Sequence, residues 1–304
     1  MRKGCSVLGT VLTLAVLLSS LGSAQQRTTL SPEEQTRRQA EREKRVQAAL
    51  ASERPIAAID SVWIEELTWM EIRDALAAGK TTVIIPTGGI EQNGPYLALG
   101  KHNYVLKAAC EGIARELGTA LCTPIIKLVP EGSFDDPSGH MRYPGTLSLR
   151  NETFQMVLND VASSLKAHGF KHIVMIGDSG GNQRGMEQTA ATLNERWGQT
   201  IVHYIPEFYE YREVFNYMER ELGITEPINE GLHDDYVITA MMMTIDPDTV
   251  RYNERLAAGK ATINGLSIAN KAETIAIGKQ LLQFRIEQAT TAIKKALARK
   301  MTEE

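Results

Sequence analysis

Cysteine is scarce in this chain of 304 residues, which has three. Cys5 lies in an N-terminal apolar leader, so only Cys110 and Cys122 remain for the folded part. That count rules out a fold held by several disulfides. One of the pair reads as helical and the other as close to a strand. An oxidising compartment permits a bridge between them, but two buried free thiols are the simpler expectation. An excess of positive charge is lacking too. Lys and Arg number 33 against 37 Asp and Glu, a net charge of −4 that moves to about −6 once Arg2 and Lys3 are removed. A mildly acidic surface excludes the basic face that a nucleic-acid partner needs. No internal repeat or low-complexity tract is present.

The apolar run Val7–Leu21 is too short for a comfortable bilayer span. It follows a basic start and precedes the small residues Gly22, Ser23 and Ala24, the layout of a cleaved secretory signal. Residues 1–24 are therefore expected to be a signal peptide, leaving an exported, periplasmic or secreted protein with no stable membrane span. Residues 25–55 are polar and rich in Arg, Glu and Gln, with a helix-start signal at Ser31-Pro-Glu-Glu34. They read as a solvated helical tether. Residues 56–304 form one domain.

In that domain, helical periodicity alternates with short β-branched runs. Thr68, with Glu71 three residues on, predicts a capped helix that ends at Gly79. Buried strands are predicted at Thr81–Ile85, Leu121–Val129, His172–Ile176 and Thr200–Ile205. Helices are predicted at Tyr104–Leu117, Glu152–His168, after Asn182 through Trp197, Asp234–Thr244 and Thr274–Arg299. The alternation implies an α/β protein with a mostly parallel central sheet covered on both faces.

Chemistry-bearing residues fall in the loops after these strands, where α/β proteins keep their sites. The first loop, Pro86 to His102, holds Glu91, Asn93 and His102; the second holds His140; the third holds Asp178, Ser179 and Asn182. His233, Asp234 and Asp235 stand at a helix start. Carboxylates mixed with imidazoles suit Zn²⁺ or Mn²⁺. Gly177-Asp-Ser-Gly-Gly181 also fits a nucleophile elbow at a strand–turn–helix junction. Chymotrypsin-like proteases share that text, but they are cysteine-rich β-barrels. A triad of Ser179, an acid and His233 stays open, and so does a plain glycine turn. His203 reads as packed within its strand, and His168 and His172 as surface residues.

Leu67-Thr-Trp-Met-Glu-Ile and Ile85-Pro-Thr-Gly-Gly-Ile-Glu-Gln-Asn-Gly-Pro-Tyr-Leu resemble two motifs of the creatininase (creatinine amidohydrolase) family. His140-Met-Arg-Tyr-Pro-Gly-Thr146, Ile176-Gly-Asp-Ser-Gly-Gly-Asn182 and His233-Asp-Asp-Tyr-Val-Ile-Thr-Ala240 are similar to three more. The resemblance spans roughly residues 60 to 298. It implies a three-layer α/β/α sandwich, hydrolysis of a non-peptide and often cyclic amide bond, a two-metal site and a homo-oligomer. The chain departs from the family pattern at telling positions. Asn93 and Ser179 stand where the family has His, His102 where it has Asp, and Ile238 where it has Glu. Glu91 and His233 are kept.

With fewer anions at the site, one divalent metal, Zn or Mn, is expected rather than two. Glu91, His102 and His233 are expected to hold it, with Asp178 as fourth ligand or proton acceptor, and Asp178 and Ser179 as the catalytic pair. Asn93, Ser179, His140, Asn182 and Asp234 are expected to face a small polar amide substrate. Two alternatives stand beside this. One is a non-catalytic pocket that binds a small ligand through Asn93, Asp178, Ser179 and Asn182. The other is a metal-free hydrolase using Ser179.

Overall fold

A computed structural model describes residues 30–299; the expected signal peptide at 1–24 lies outside them. Residues up to Glu53 and residues from Arg54 onward form two separate units. In the first, helix α1 (Pro32–Ala51) begins with a capping box, in which Ser31 accepts from the Glu34 amide and Glu34 from the Ser31 amide. None of its residues is buried. Among the described residues, no helix is long and apolar enough to cross a membrane.

The second unit is built on four parallel strands in the order β2-β1-β3-β4: β1 (Thr82–Thr87), β2 (Ala120–Cys122), β3 (His172–Gly177) and β4 (Val202–Tyr204). All six residues of β1 are buried, as expected for a strand covered on both faces. Its Pro86 is tolerated for a local reason. Ile84 and Pro86 direct their carbonyls to the β2 side, accepting from Thr123 and Ile126. The missing Pro86 N–H faces the same side, beyond the point where β2 has ended at Cys122. The segment predicted as a strand over Leu121–Val129 is correspondingly short. After Cys122 only isolated bridges at Ile126 and Val129 continue it.

Chain order and sheet order together set the layers. The β1–α3–β2 unit, with α3 at Lys101–Leu117, runs outward on one side of β1; β3–α5–β4, with α5 at Gly180–Trp197, runs outward on the other. Both crossovers being right-handed, α3 and α5 cover opposite faces. Helix α4 (Asn151–Ala167) packs with α5, and the long α9 (Lys271–Arg299) packs with α3. Apolar residues of β1, β3, α3, α4, α5 and α9 form the main core around the sheet. Helix α2 (Trp69–Ala77) has the predicted Thr68–Glu71 capping box.

A second apolar cluster surrounds α7 (Tyr236–Ile245), whose residues 236–243 are all buried, including Met241, Met242 and Met243. Here α7 and α9 approach so closely that a Cβ on Gly278 would land on the Ala240 carbonyl oxygen. Helices α6 (Tyr211–Leu222) and α8 (Tyr252–Ala257), and the hairpin of β5 (Thr262–Ile263) and β6 (Leu266–Ser267), were not anticipated, although α6 repeats Val214, Phe215, Met218 and Leu222 at helical spacing and Asn264-Gly265 is a hairpin turn signal.

Cys110 and Cys122 are disulfide-bonded, which corrects the expectation of two free thiols. Cys110 lies on the sheet-facing side of α3 and Cys122 ends β2, with both fully buried and their Cα atoms 6.4 Å apart. A bridge of 12-residue separation is worth about 3 kcal/mol by loop-closure entropy. Protein lacking residues 1–24, unfolded without reductant, should therefore take up no maleimide, and two equivalents after reduction. The Cys110→Ala/Cys122→Ala double variant should unfold about 2–3 kcal/mol more easily in urea.

Candidate metal and substrate site

The strand order reverses between β1 and β3, and the crevice beyond their carboxyl ends is where an open parallel sheet binds ligands. Three cross-links close its floor. The Asp178 amide donates to Thr87 O at 3.1 Å, and the Asn182 side-chain amide donates to Thr87 O at 3.0 Å and Gly88 O at 2.8 Å. Above the floor lies a cavity of about 320 Å³, lined by Glu91, His102, Glu131, His140, Ser179, Tyr209, His233 and nearby glycines.

Glu91 is its centre. The carboxylate is 3% exposed. His102 Nε2 lies 2.6 Å from Oε1, Lys101 Nζ 3.5 Å and His233 Nε2 3.8 Å from the same oxygen, and His140 Nε2 lies 3.2 Å from Oε2. Burial alone would raise this carboxyl, but the bond from His102 and the charges of His102 and Lys101 outweigh it and hold it well below the usual range. The His140 and His233 rings lie 4.2 Å apart. Gln92 holds both, through its side-chain amide 3.4 Å from His140 Nδ1 and its backbone carbonyl accepting from His233 Nδ1 at 2.9 Å. The second bond leaves the His233 Nε2 lone pair aimed at Glu91. Burial, and then Lys101, lower the His233 pKa, which favours the neutral ring that ligates. Its backbone is left-handed, with φ 64°, a conformation a non-glycine residue adopts at a cost.

Glu91, His140 and His233 each offer one ligand atom, and these atoms lie within 4.8 Å of one another. One carboxylate oxygen and two imidazole nitrogens, brought from three loops to an open cavity, fit a divalent cation with a coordination position left for water or substrate. Glu131 also lines the cavity, 6% exposed; it stands beside Glu91 and accepts from the Ser179 hydroxyl at 3.1 Å. Burial, and then the charge of Glu91, push its carboxyl up to about 9.

The expected residues are thus sorted differently by the structure. Glu91 and His233 meet as expected. His140, expected on the substrate, takes the position expected of His102. His102 has both ring nitrogens engaged, Nε2 with Glu91 and Nδ1 with Asp178 Oδ2 at 2.8 Å, so neither is left for a metal. Burial opposes charge on this ring, but the bonds to Asp178 and Glu91 outweigh it and raise its pKa. Asp178 is not brought to the cluster as a ligand. It is fully buried, with both oxygens bonded, Oδ1 at 2.6 Å to Arg285 and both to the Tyr211 hydroxyl at 3.0 and 3.1 Å. Asn93 is turned into its own loop, donating to Glu91 O and Ala98 O. Asn182 ties α5 to β1, and Asp234 is buried against Gly94, so neither lines the cavity. Ser179 does line it, but as the N-cap of α5 and a donor to Glu131. No triad with His233 is assembled, because that ring faces Gln92 and Glu91. Glu131, Tyr209, Tyr211 and Arg285 were missed, and Gln92 and Lys101 were given no role. Loop position carried a usable signal for Glu131, in the loop of His140, and for Gln92 and Lys101, in the loop of Glu91 and His102.

The creatinine amidohydrolase (creatininase) family profile matches residues 65–291. Creatinine amidohydrolase of Pseudomonas putida is 29% identical over 116 residues, 38% of this chain and 44% of that protein. The mycofactocin precursor peptide peptidase of Mycobacterium ulcerans is 22% identical over 184 residues, 59% of this chain and 64% of that protein. The chain thus spans less than two thirds of each of these relatives. A solved creatininase structure described as the Mn form superposes with a TM-score of 0.57 at 22% identity, covering 78% of this chain and 98% of that one, which shows a shared fold.

The N-terminus of α5 forms one wall, and Gly181 sets how near it comes. A Cβ there would fall on the Pro130 carbonyl oxygen. Gly181→Ala should therefore displace either α5 or the Pro130–Gly132 loop and lower unfolding free energy by about 1–3 kcal/mol. Denaturant titration checks this; a midpoint equal to wild type would show that the close approach is not real.

Proposed function

The chain belongs to the creatininase family, and we propose that it is a metal-dependent hydrolase which cleaves a C–N bond in a small polar amide at a one-metal site formed by Glu91, His140 and His233. The convergence of those three side chains on one opening carries the reading. When bound, a divalent cation there supplies Lewis-acid polarisation of a carbonyl and a lowered pKa for water. Zinc suits a site with two imidazoles and one carboxylate better than manganese does.

The chain's own residues do the rest. The cavity of about 320 Å³ admits a small molecule and sits at the low end of ligand-site volumes. Gln92 fixes the two imidazoles. Ser179 holds the Glu131 carboxyl beside Glu91 at the cavity wall. The Tyr209 hydroxyl stands beside Gly180 at the start of α5, where it can donate to a substrate oxygen. Lys101 compensates the charge of Glu91 from behind.

Protein purified without chelator should hold one metal per chain by elemental analysis. Glu91→Gln, His140→Ala and His233→Asn should each lower that content roughly tenfold or more at limiting zinc; asparagine tolerates the left-handed backbone at 233. Ser179→Ala should keep the metal. Two metals per chain would sink the one-metal site. None, with a fluorophosphonate labelling Ser179, would favour the serine alternative.

Export accords with the leader and with a buried disulfide, which persists in oxidising compartments. Intact-mass analysis of protein from its native source should find an N-terminus near Gln25; a mature species starting at Met1 would refute export by cleavage.

A further inference from the structure

Of the Arg285–Asp178–His102 array only His102 reaches the cavity wall, and there it ends on the metal-site carboxylate. Arg285, on α9, is 1% exposed. It lies 4.2 Å from the Phe208 ring centre and 4.5 Å from that of Tyr211. Its Nη2 donates to Phe208 O at 2.7 Å and to Asp178 Oδ1 at 2.6 Å, and its Nη1 to the Tyr211 hydroxyl at 3.1 Å. Asp178 is pinned by its backbone amide to β1 and by Tyr211 from the side. Its Oδ2 meets His102 Nδ1, and His102 Nε2 meets Glu91 Oε1. Each link is buried, each is within hydrogen-bond distance, and the far end is clamped between two aromatic rings.

Buried charge arrays are weak sources of stability, because desolvation offsets their attraction and apolar replacements are often no worse. An array that nonetheless terminates on a ligand oxygen does something more specific. It fixes the carboxylate plane, engages Oε1 and leaves Oε2 turned toward His140. We propose that Arg285, Asp178 and His102 are positioning residues, which orient Glu91 for the cation and set the affinity of the site from α9, 194 positions along the chain from Glu91. This rests on the metal reading above. It also gives His102 a role distinct from ligation: His102 holds the ligand.

Zinc is the probe, and the test needs no substrate. Metal is stripped with chelator, and zinc affinity is measured by competition with a chromophoric chelator. Asp178→Asn and Arg285→Met should raise the zinc dissociation constant about 10–100-fold, and Tyr211→Phe, which removes only one hydroxyl, about threefold. Leu281→Ala is the control. It loses buried apolar volume on the same helix, in the separate cluster around α7, and should melt earlier while keeping zinc affinity within about twofold. Zinc-edge X-ray absorption should count two imidazoles in wild type. Should Asp178→Asn fail to fold, Arg285→Lys and Tyr211→Phe decide the matter. Unchanged affinity in the foldable array variants would overturn the proposal and leave the metal reading intact. Three imidazoles would also overturn it, by making His102 a ligand. A wild-type protein that takes up no zinc would defeat the metal reading and the array with it.

Discussion

A carboxylate buried to 3% exposure must be answered by donors and positive charge, and much of this site follows from how Glu91 is answered. It is answered by His102 from the helix that follows its own loop and Lys101 from the residue before, while the rings of His140 from the loop after β2 and His233 from the turn before α7 close on it from the open side. Four segments are thereby drawn to one point. That point is accessible because the parallel sheet ends there. β1 and β3 finish side by side, and the chain leaves them in opposite directions, opening a crevice that Asn182 and the Asp178 amide floor with backbone bonds.

The fold was legible where local signals were strong. The Thr68–Glu71 capping box, the β-branched runs of β1 and β3 and the glycine stop at Gly169 fix their elements within a residue or two. It was illegible where tertiary partners decide. The stretch after Cys122 alternates like a strand but has no neighbour to pair with beyond single bridges. Helix α6 and the short hairpin at 262–267 are different: the amphipathic repeat before Gly223 and the Asn264-Gly265 turn were legible and were overlooked. The disulfide was chemically permitted by the sequence, but its reality depends on α3 lying across β2.

The site was legible as a neighbourhood and less so as an arrangement. Loop position placed Glu91, His102, His140, Asp178, Ser179 and His233 together, and all but Asp178 line one cavity. Spacing could not say which imidazole has a free nitrogen, because that depends on Asp178 standing behind His102 and on Gln92 bracketing the other two rings. Arg285 could not be found at all from motifs, since it arrives from the last helix. Its effect is to turn an expected ligand, Asp178, into a buried counter-charge. The family pattern had the same limit. It marked His102 and Ser179 as changed positions but could not show that the changes close hydrogen bonds to Glu91 and Glu131.

The left-handed backbone at His233 bears on how such a site persists through descent. A glycine at that position would relieve the backbone, and asparagine would sit there more easily, so random substitution toward either is little opposed by folding. Selection for fold alone would let the imidazole drift away within a well-folded protein. Lineages that have abandoned the chemistry should therefore lose this histidine before they lose Asp178 or Arg285, whose burial ties them to the integrity of the core. Position 233 would then register the loss of the site early, while the array behind Glu91, held also by the cost of leaving a buried charge unpaired, would register it late.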